Sequence, residues 1–283
     1  MSSRAYRNET EVTQLHGVPI YMNDVLDACL RGRLNLFLQG DTGSGKTQLA
    51  ADAMQSFGDK SLFILGRNDM DTRELFQQVN LEKLRTAKSS GEIKEVTDKV
   101  DTHLIVVDEM PNCVPAVRAQ LFNLFDGYIE INGQKYPIGN GYSVGIATGN
   151  VGQKFTESTN ELGRALKDRM HVILDTDYFF QQPSDTLEIL AGSTNPRVEF
   201  GEATSDGIDG IVEKHRQLVA KDIPLEKLIV ANYLVHGLDY CSKGSKRKMK
   251  DAWPTQLESH EQVSDVSLVL PVSTRAAKSI VRL

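Results

Sequence analysis

The amino-acid sequence predicts an α/β fold: a five-stranded parallel sheet sandwiched by helices, followed by a smaller helical domain. Three observations predict it. Five short β-prone runs recur up to Asp175, helix-like stretches separate them, and beyond Asp175 only helical patterning remains. Strands that alternate with helices form parallel sheets covered on both sides. Strands buried on both faces read as nearly continuous apolar runs, as most of these do.

Residues 1–16 are polar and are expected to be loosely held. Val25, Leu26, Cys29 and Leu30 recur at helical spacing, which predicts a helix over 22–31. The five strand-like runs are Leu34–Gln39, Ser61–Leu65, Leu104–Asp108, Ser143–Thr148 and His171–Asp175. Helices are expected between them at 46–56, 72–86 and 115–126. One segment breaks the alternation. Tyr128–Ile131 and Gln134–Ile138 flank Asn132-Gly133, the preferred pair for a two-residue hairpin turn because both central positions need positive φ. Later helices are expected to start after Pro183-Ser184, with Gly192 as the stop, and to cover 208–221, 225–241 and 274–283. The change of character at 178–184 predicts two domains, 1–180 and 181–283.

Composition narrows the function classes. Of the 283 residues, 40% are hydrophobic and 25% charged, which excludes a disordered or collagen-like chain. Acidic residues exceed basic ones, 38 to 32, for a net charge of −6. That balance argues against a surface built to coat nucleic acid. The basic run Lys243–Lys250 is read as a solvated loop, with contact to nucleic acid or an acidic partner as the alternative; no aromatic stripe accompanies it. Three separated cysteines without a CxxC pair give neither a disulfide framework nor a zinc site, so a reducing, cytoplasmic setting is expected. No apolar run approaches the roughly 20 residues of a membrane span. The N-terminal residues also lack the apolar core of a secretory signal.

The strongest local signal is Gly40-Asp41-Thr42-Gly43-Ser44-Gly45-Lys46-Thr47, which fits G-x-x-x-x-G-K-[ST]. Glycines let successive backbone N–H groups turn toward phosphate oxygens, and the following helix adds the partial positive charge of its N-terminus. Lys46 is placed to reach the outer phosphates and the Thr47 hydroxyl to ligate Mg²⁺. An apolar strand precedes the loop and a helix-prone stretch follows, the context this motif needs. A second signal is the apolar run ending in Asp108-Glu109. Asp108 is the candidate for holding Mg²⁺, through water, and Glu109 the candidate for polarising the attacking water. Parallel sheets bind ligands at that carboxyl edge.

Taken with GDTGSGKT, the segments LIVVDEMPNCVPAVRAQLFNLFD (104–126), GYIEINGQKYPI (127–138), IATGN (146–150) and LGRALKDRM (162–170) resemble the AAA+ ATPases, specifically their MoxR-like branch. The resemblance is good over about 14–192 and weak beyond. It implies a P-loop NTPase fold with a small C-terminal helical lid. It also implies ATP and Mg²⁺ as ligands, with Gly40 through Thr47 and Gln48 around the nucleotide. Asn150 matches the sensor-1 residue that helps orient water. Arg169 matches the arginine finger, which acts in trans on a neighbour's γ-phosphate; Arg164 is a second candidate, and an ion pair with a carboxylate such as Asp168 is the alternative for either. Arg275 resembles the sensor-2 arginine of the lid, although few residues follow it, so that the lid is either minimal or clipped. The 128–138 hairpin resembles the pre-sensor-1 hairpin, and 66–79 resembles the insertion within the second helix of this branch.

The function implied is ATP hydrolysis by a homo-oligomeric ring, a hexamer, that remodels or matures a protein partner. That partner would be a separate chain, in this family often one with a von Willebrand factor A domain. A nucleic-acid motor or packaging ATPase is one alternative. A nucleotide-controlled scaffold or chelatase-type subunit with little hydrolysis is another.

Overall fold

A computed structural model describes residues 10–69, 75–79, 94–131, 133–150, 168–178, 183–192, 197, 198, 200, 207–240 and 273–282. The described chain opens with β1 (Glu11–Leu15) and β2 (Val18–Tyr21), an antiparallel pair. His16 and Gly17 turn it, both at positive φ (52° and 80°). Sequence reading left 1–16 as a loose segment; these strands are short and exposed, so no apolar run announces them. Helix α1 (Met22–Gly32) follows directly. The Asp24 carboxylate accepts the Tyr21 amide at 2.9 Å and so caps its start. Met22, Leu26, Cys29 and Leu30 form its buried stripe.

The central sheet contains β3 (Leu36–Gln39), β4 (Ser61–Leu65), β7 (Leu104–Asp108), β10 (Val144–Gly149) and β11 (Val172–Asp175). Its order is β11-β3-β10-β7-β4, and every pair is parallel. Register aligns the strand ends: Gln39 pairs with Gly149 and with Asp175, and Leu65 pairs with Asp108. The carboxyl ends therefore share one edge. Alternation along the strands splits the core in two. Leu36, Leu38, Leu104, Val106, Val144 and Ile146 face α1 and α2 (Lys46–Gln55). Phe37, Ile105, Val107 and Ala147 face α3 (Pro115–Phe125).

Two small antiparallel pairs decorate the sheet. One is β8 (Tyr128–Ile131) with β9 (Gln134–Pro137), the hairpin read from Asn132-Gly133; its Ile129 and Ile131 are buried with α3. Asn132 itself lies outside the described residues. The other corrects the sequence reading. A helix was expected over 72–86, but Gln77–Val79 is strand β5, paired with β6 (Lys94–Val96). Phe76, fully buried, anchors that pair in the α3-side core.

Helices α4 (Pro183–Gly192), α5 (Gly207–Ala220), α6 (Leu225–Tyr240) and α7 (Thr274–Arg282) complete the described elements. The chain divides into two compact units, 1–218 and 219–283, later than the 178–184 transition read from sequence. The first part of α5 belongs to the first unit: Ile211 joins the core around α1, and His215 Nδ1 donates to the Arg31 carbonyl at 2.9 Å. In the second unit α6 and α7 pack on each other. Among the described residues no helix is long and apolar enough to cross a membrane.

Candidate functional site

The loop after β3 carries its backbone in conformations that favour glycine, with Gly40, Gly43 and Gly45 at φ 146°, 81° and 82°. At Gly40 a side chain is excluded twice over: by that φ, and by the Thr176 hydroxyl, into which a Cβ would run. The loop folds around Lys46, which is 7% exposed. Its Nζ donates to the carbonyls of Gly40 (2.9 Å) and Asp41 (2.6 Å) and to Ser44 Oγ (3.2 Å). An ammonium group with three donors and no acceptor suits such a ring of oxygens.

β11 holds the loop from behind. Thr176, just past the strand and 1% exposed, donates to the Gln39 carbonyl at 3.0 Å. With its proton so used, it accepts from Ser44 Oγ at 2.7 Å. The Asp177 carboxylate accepts the Asp41 amide at 2.8 and 3.0 Å, and Gln39 Nε2 donates to Asp175 at 2.8 Å.

Facing the loop, buried Asp108 ends β7. Its Oδ1 accepts from Thr47 Oγ1 at 2.9 Å and from Thr148 Oγ1 at 2.6 Å. The same Thr148 oxygen accepts the Glu109 amide at 3.0 Å. That bond helps keep Glu109 in the left-handed region (φ 52°), where a non-glycine residue is strained. The Glu109 carboxylate is steered by Asn112, whose Nδ2 donates to Oε2 at 2.7 Å. Asn150 Nδ2 reaches across to Thr42 Oγ1 at 3.3 Å. Between these walls lies a cavity of about 300 Å³ lined by residues 42–48, Glu109, 148–150, Arg197 and Val198.

Most candidates read from sequence thus converge. Thr42 through Gln48, Glu109 and Asn150 line one cavity, and Asp108 is bonded to two of its walls. Gly40 and Asp41 stand behind it, tied to Lys46 and to β11. Arg169 is elsewhere. Its Nε pairs with Asp126 at 3.1 Å, its guanidinium lies over the Phe122 ring at 5.0 Å, and its carbonyl accepts from Asn35, at the amino end of β3. Asp126 is thus a carboxylate that it meets, an ion pair of the kind the sequence reading held as the alternative. Arg164 and the basic run 243–250 lie outside the described residues. Arg275 is in α7, within the second unit, where its carbonyl accepts from Ser279 Oγ at 3.0 Å.

Sequence reading missed Thr148, Thr176, Asp177, Arg197 and Val198. Only Thr148 left a signal, as a hydroxyl in a run otherwise built for burial.

Comparison with known proteins fits this geometry. Residues 35–170, just under half of the chain, match the model of the AAA domain, dynein-related subfamily. That segment is similar to AAA domains. No protein of curated function matches the chain significantly. Among solved structures, one from Cytophaga hutchinsonii, whose ATPase assignment is provisional, is similar at a TM-score of 0.62 and 18% identity. The match covers 92% of this chain and 72% of that one. It supports the P-loop α/β fold, and the likeness to AAA domains supplies the expectation of nucleotide binding.

Proposed function

We propose that the protein is a Mg²⁺-dependent ATP hydrolase of the MoxR-like AAA+ type, acting as a homo-oligomeric ring, a hexamer, on a protein partner. The observation that carries this reading is the meeting of Lys46, Thr47, Glu109 and Asn150 at one cavity with Asp108 behind it. The loop amides and Lys46 bind and orient the triphosphate. Glu109 takes the water's proton density and aligns it for in-line attack, and Asn150 holds the opposite side of that water. The Glu109–Asn112 bond must be exchanged for water before the carboxylate can act.

The residues fit Mg²⁺. Thr47 and Asp108 present hard oxygen donors within one hydrogen bond of each other. Among the described residues no cluster of three or more His, Cys, Asp or Glu side chains could cage an ion alone. Thr47 and, through water, Asp108 would hold Mg²⁺, which would supply neutralisation of phosphate charge when bound.

Arg169 is the proposed trans-acting finger. Its place at the amino edge of the sheet, away from its own chain's phosphate loop, supports action on a neighbour. The partner is proposed to be a separate chain, by family resemblance one bearing a von Willebrand factor A domain.

The test is paired substitution. Glu109→Gln should retain ATP affinity and lose hydrolysis by about 10²-fold or more, the loss of a positioned base. Lys46→Ala should lose ATP binding itself. Equal turnover in Glu109→Gln and the unaltered protein would remove the hydrolase reading.

A further inference from the structure

We propose a second ligand site, at the amino edge of the sheet, for a small organic cation: a guanidinium or primary ammonium group on an aliphatic chain. It stands independently of the hydrolase reading. A cavity of about 480 Å³ lies between the 139–141 loop leading to β10 and one face of α5. Its lining residues all belong to the first compact unit. His103 sits just before β7 and Tyr142 just before β10, strands whose first residues, Leu104 and Val144, pair in register. The phosphate loop and Glu109 occupy the opposite edge, where those strands end. The two cavities are therefore separate, and the volume of the second is within the range of small-molecule sites.

The lining sets the ligand's chemistry. The loop wall is fixed: Gly139, Asn140 and Gly141 all have positive φ (62°, 49° and 93°), and a side chain at 139 would run into the Thr102 carbonyl and the His103 ring. The two imidazoles are fixed as well. His103 Nδ1 lies 2.8 Å from the Tyr142 carbonyl, and His215 Nδ1 lies 2.9 Å from the Arg31 carbonyl. A carbonyl only accepts, so each Nδ1 carries the proton and Nε2 of the neutral ring is an acceptor. Tyr142 stands edge-on to both rings, at centroid distances of 5.8 and 5.2 Å, and its hydroxyl proton is spent on the Leu30 carbonyl. On α5, Asp209 and Glu213 add carboxylates one turn apart. Arg216 pairs with Glu213 at 3.7 Å, and no ion pair joins Asp209 to another described residue. The charged lining is thus two carboxylates to one guanidinium. Among the described residues no three His, Cys, Asp or Glu side chains converge enough to hold a metal ion. Acceptors spread around a cavity suit a cation whose N–H donors are spread likewise. Ile208 and Val212, also one turn apart, offer apolar surface to its methylenes.

The experiment is calorimetric titration of the nucleotide-free, full-length chain. Agmatine, a guanidinium and an ammonium on one aliphatic chain, is the free-amine probe. Arginine acetylated and amidated at its ends is the probe for a basic side chain of a protein partner. Saturable binding of either supports the site, and the tighter of the two names the source. Asp209→Asn and Glu213→Gln should each weaken binding by about two- to fivefold, the range for exposed charge pairs, and the double variant by more than either. Both side chains are exposed, so an unchanged urea midpoint is expected and checks that the variants fold. Lys46→Ala, at the other edge of the sheet, should bind agmatine as the unaltered chain does. No saturable binding of either probe, affinity untouched in the double variant, equal binding of neutral pentanol, or loss of agmatine binding in Lys46→Ala would each overturn the proposal.

Discussion

A single hydroxyl, that of Thr176, joins the phosphate loop to the strand at the far side of β3. It donates to the Gln39 carbonyl and accepts from Ser44, which in turn receives Lys46 Nζ. The chain of bonds runs from the buried ammonium through half-buried Ser44 to the sheet backbone. Thr176→Val keeps the shape and removes the hydroxyl, so Ser44 loses its acceptor and the Gln39 carbonyl its donor. The loop is gripped equally in the ground and transition states, so its loosening should raise KM by more than it lowers kcat. A neutral hydrogen bond corresponds to about a two- to tenfold effect, read from steady-state kinetics over a range of ATP concentrations. Thr176→Ser should behave as the unaltered protein. If Thr176→Val turns over as the unaltered protein does, the hydroxyl does not carry the loop; if Thr176→Ser alone fails, the methyl packing does. Thr148 works by the same logic at the other wall, one oxygen serving Asp108 and the Glu109 amide.

Elements differ in how openly the sequence announces them, and the difference is burial. The five sheet strands are sandwiched between helices, so their residues must be apolar on both faces and their runs are legible. Strands β1 and β2 face solvent and need no such run. The β5–β6 pair is legible for a different reason in the wrong sense: Leu75, Phe76 and Val79 have helical spacing, but the partner strand lies at Lys94–Val96, and pairing over that separation is a tertiary event. The site divides likewise. The 40–47 loop and Asp108-Glu109 are contiguous and were read directly. Thr176, Asp177 and Arg197 join the site only when the chain closes. The β5–β6 element yields its own prediction. Phe76 is fully buried, and the Thr97 amide donates to its carbonyl at 2.9 Å. Phe76→Ala should cost about 3–5 kcal/mol, the range for a large aromatic removed from a core. A urea unfolding midpoint that does not move would show that the pair is held by its edges alone.

Over the whole molecule, two buried groups set an alkaline limit and one half-buried arginine is the residue on which the proposed assembly turns. Burial pushes the Cys29 thiol from its ordinary value near 9 to about 12. Burial likewise pushes the Tyr142 phenol up, and its hydroxyl donates to the Leu30 carbonyl at 2.6 Å. Both stay neutral in the fold and ionise once unfolded. Their contribution is therefore complete below about pH 9 and is lost as pH rises toward the folded values, at up to about 1.4 kcal/mol per pH unit for each group. Urea midpoints should fall between pH 9 and 11, and Cys29→Ala should flatten part of that slope; a midpoint level to pH 11 would contradict it.

Arg169 raises the larger question. Its pairing with Asp126 and its stacking on Phe122 tie α3 to the segment entering β11. A purely local role predicts that Arg169→Ala loses stability and that each subunit fails or works by itself. A finger predicts a turnover loss of about 10³–10⁵-fold with ATP binding kept. Mixing separates the two. Arg169→Ala subunits retain a working phosphate loop, and Lys46→Ala subunits retain a working arginine. Only if the arginine serves a neighbour's loop do the two inactive proteins regain activity together, with a maximum near equal proportions. Activity that stays at the sum of the parts would leave Arg169 as a brace between α3 and β11, and the proposal of a trans-acting finger would fall with it.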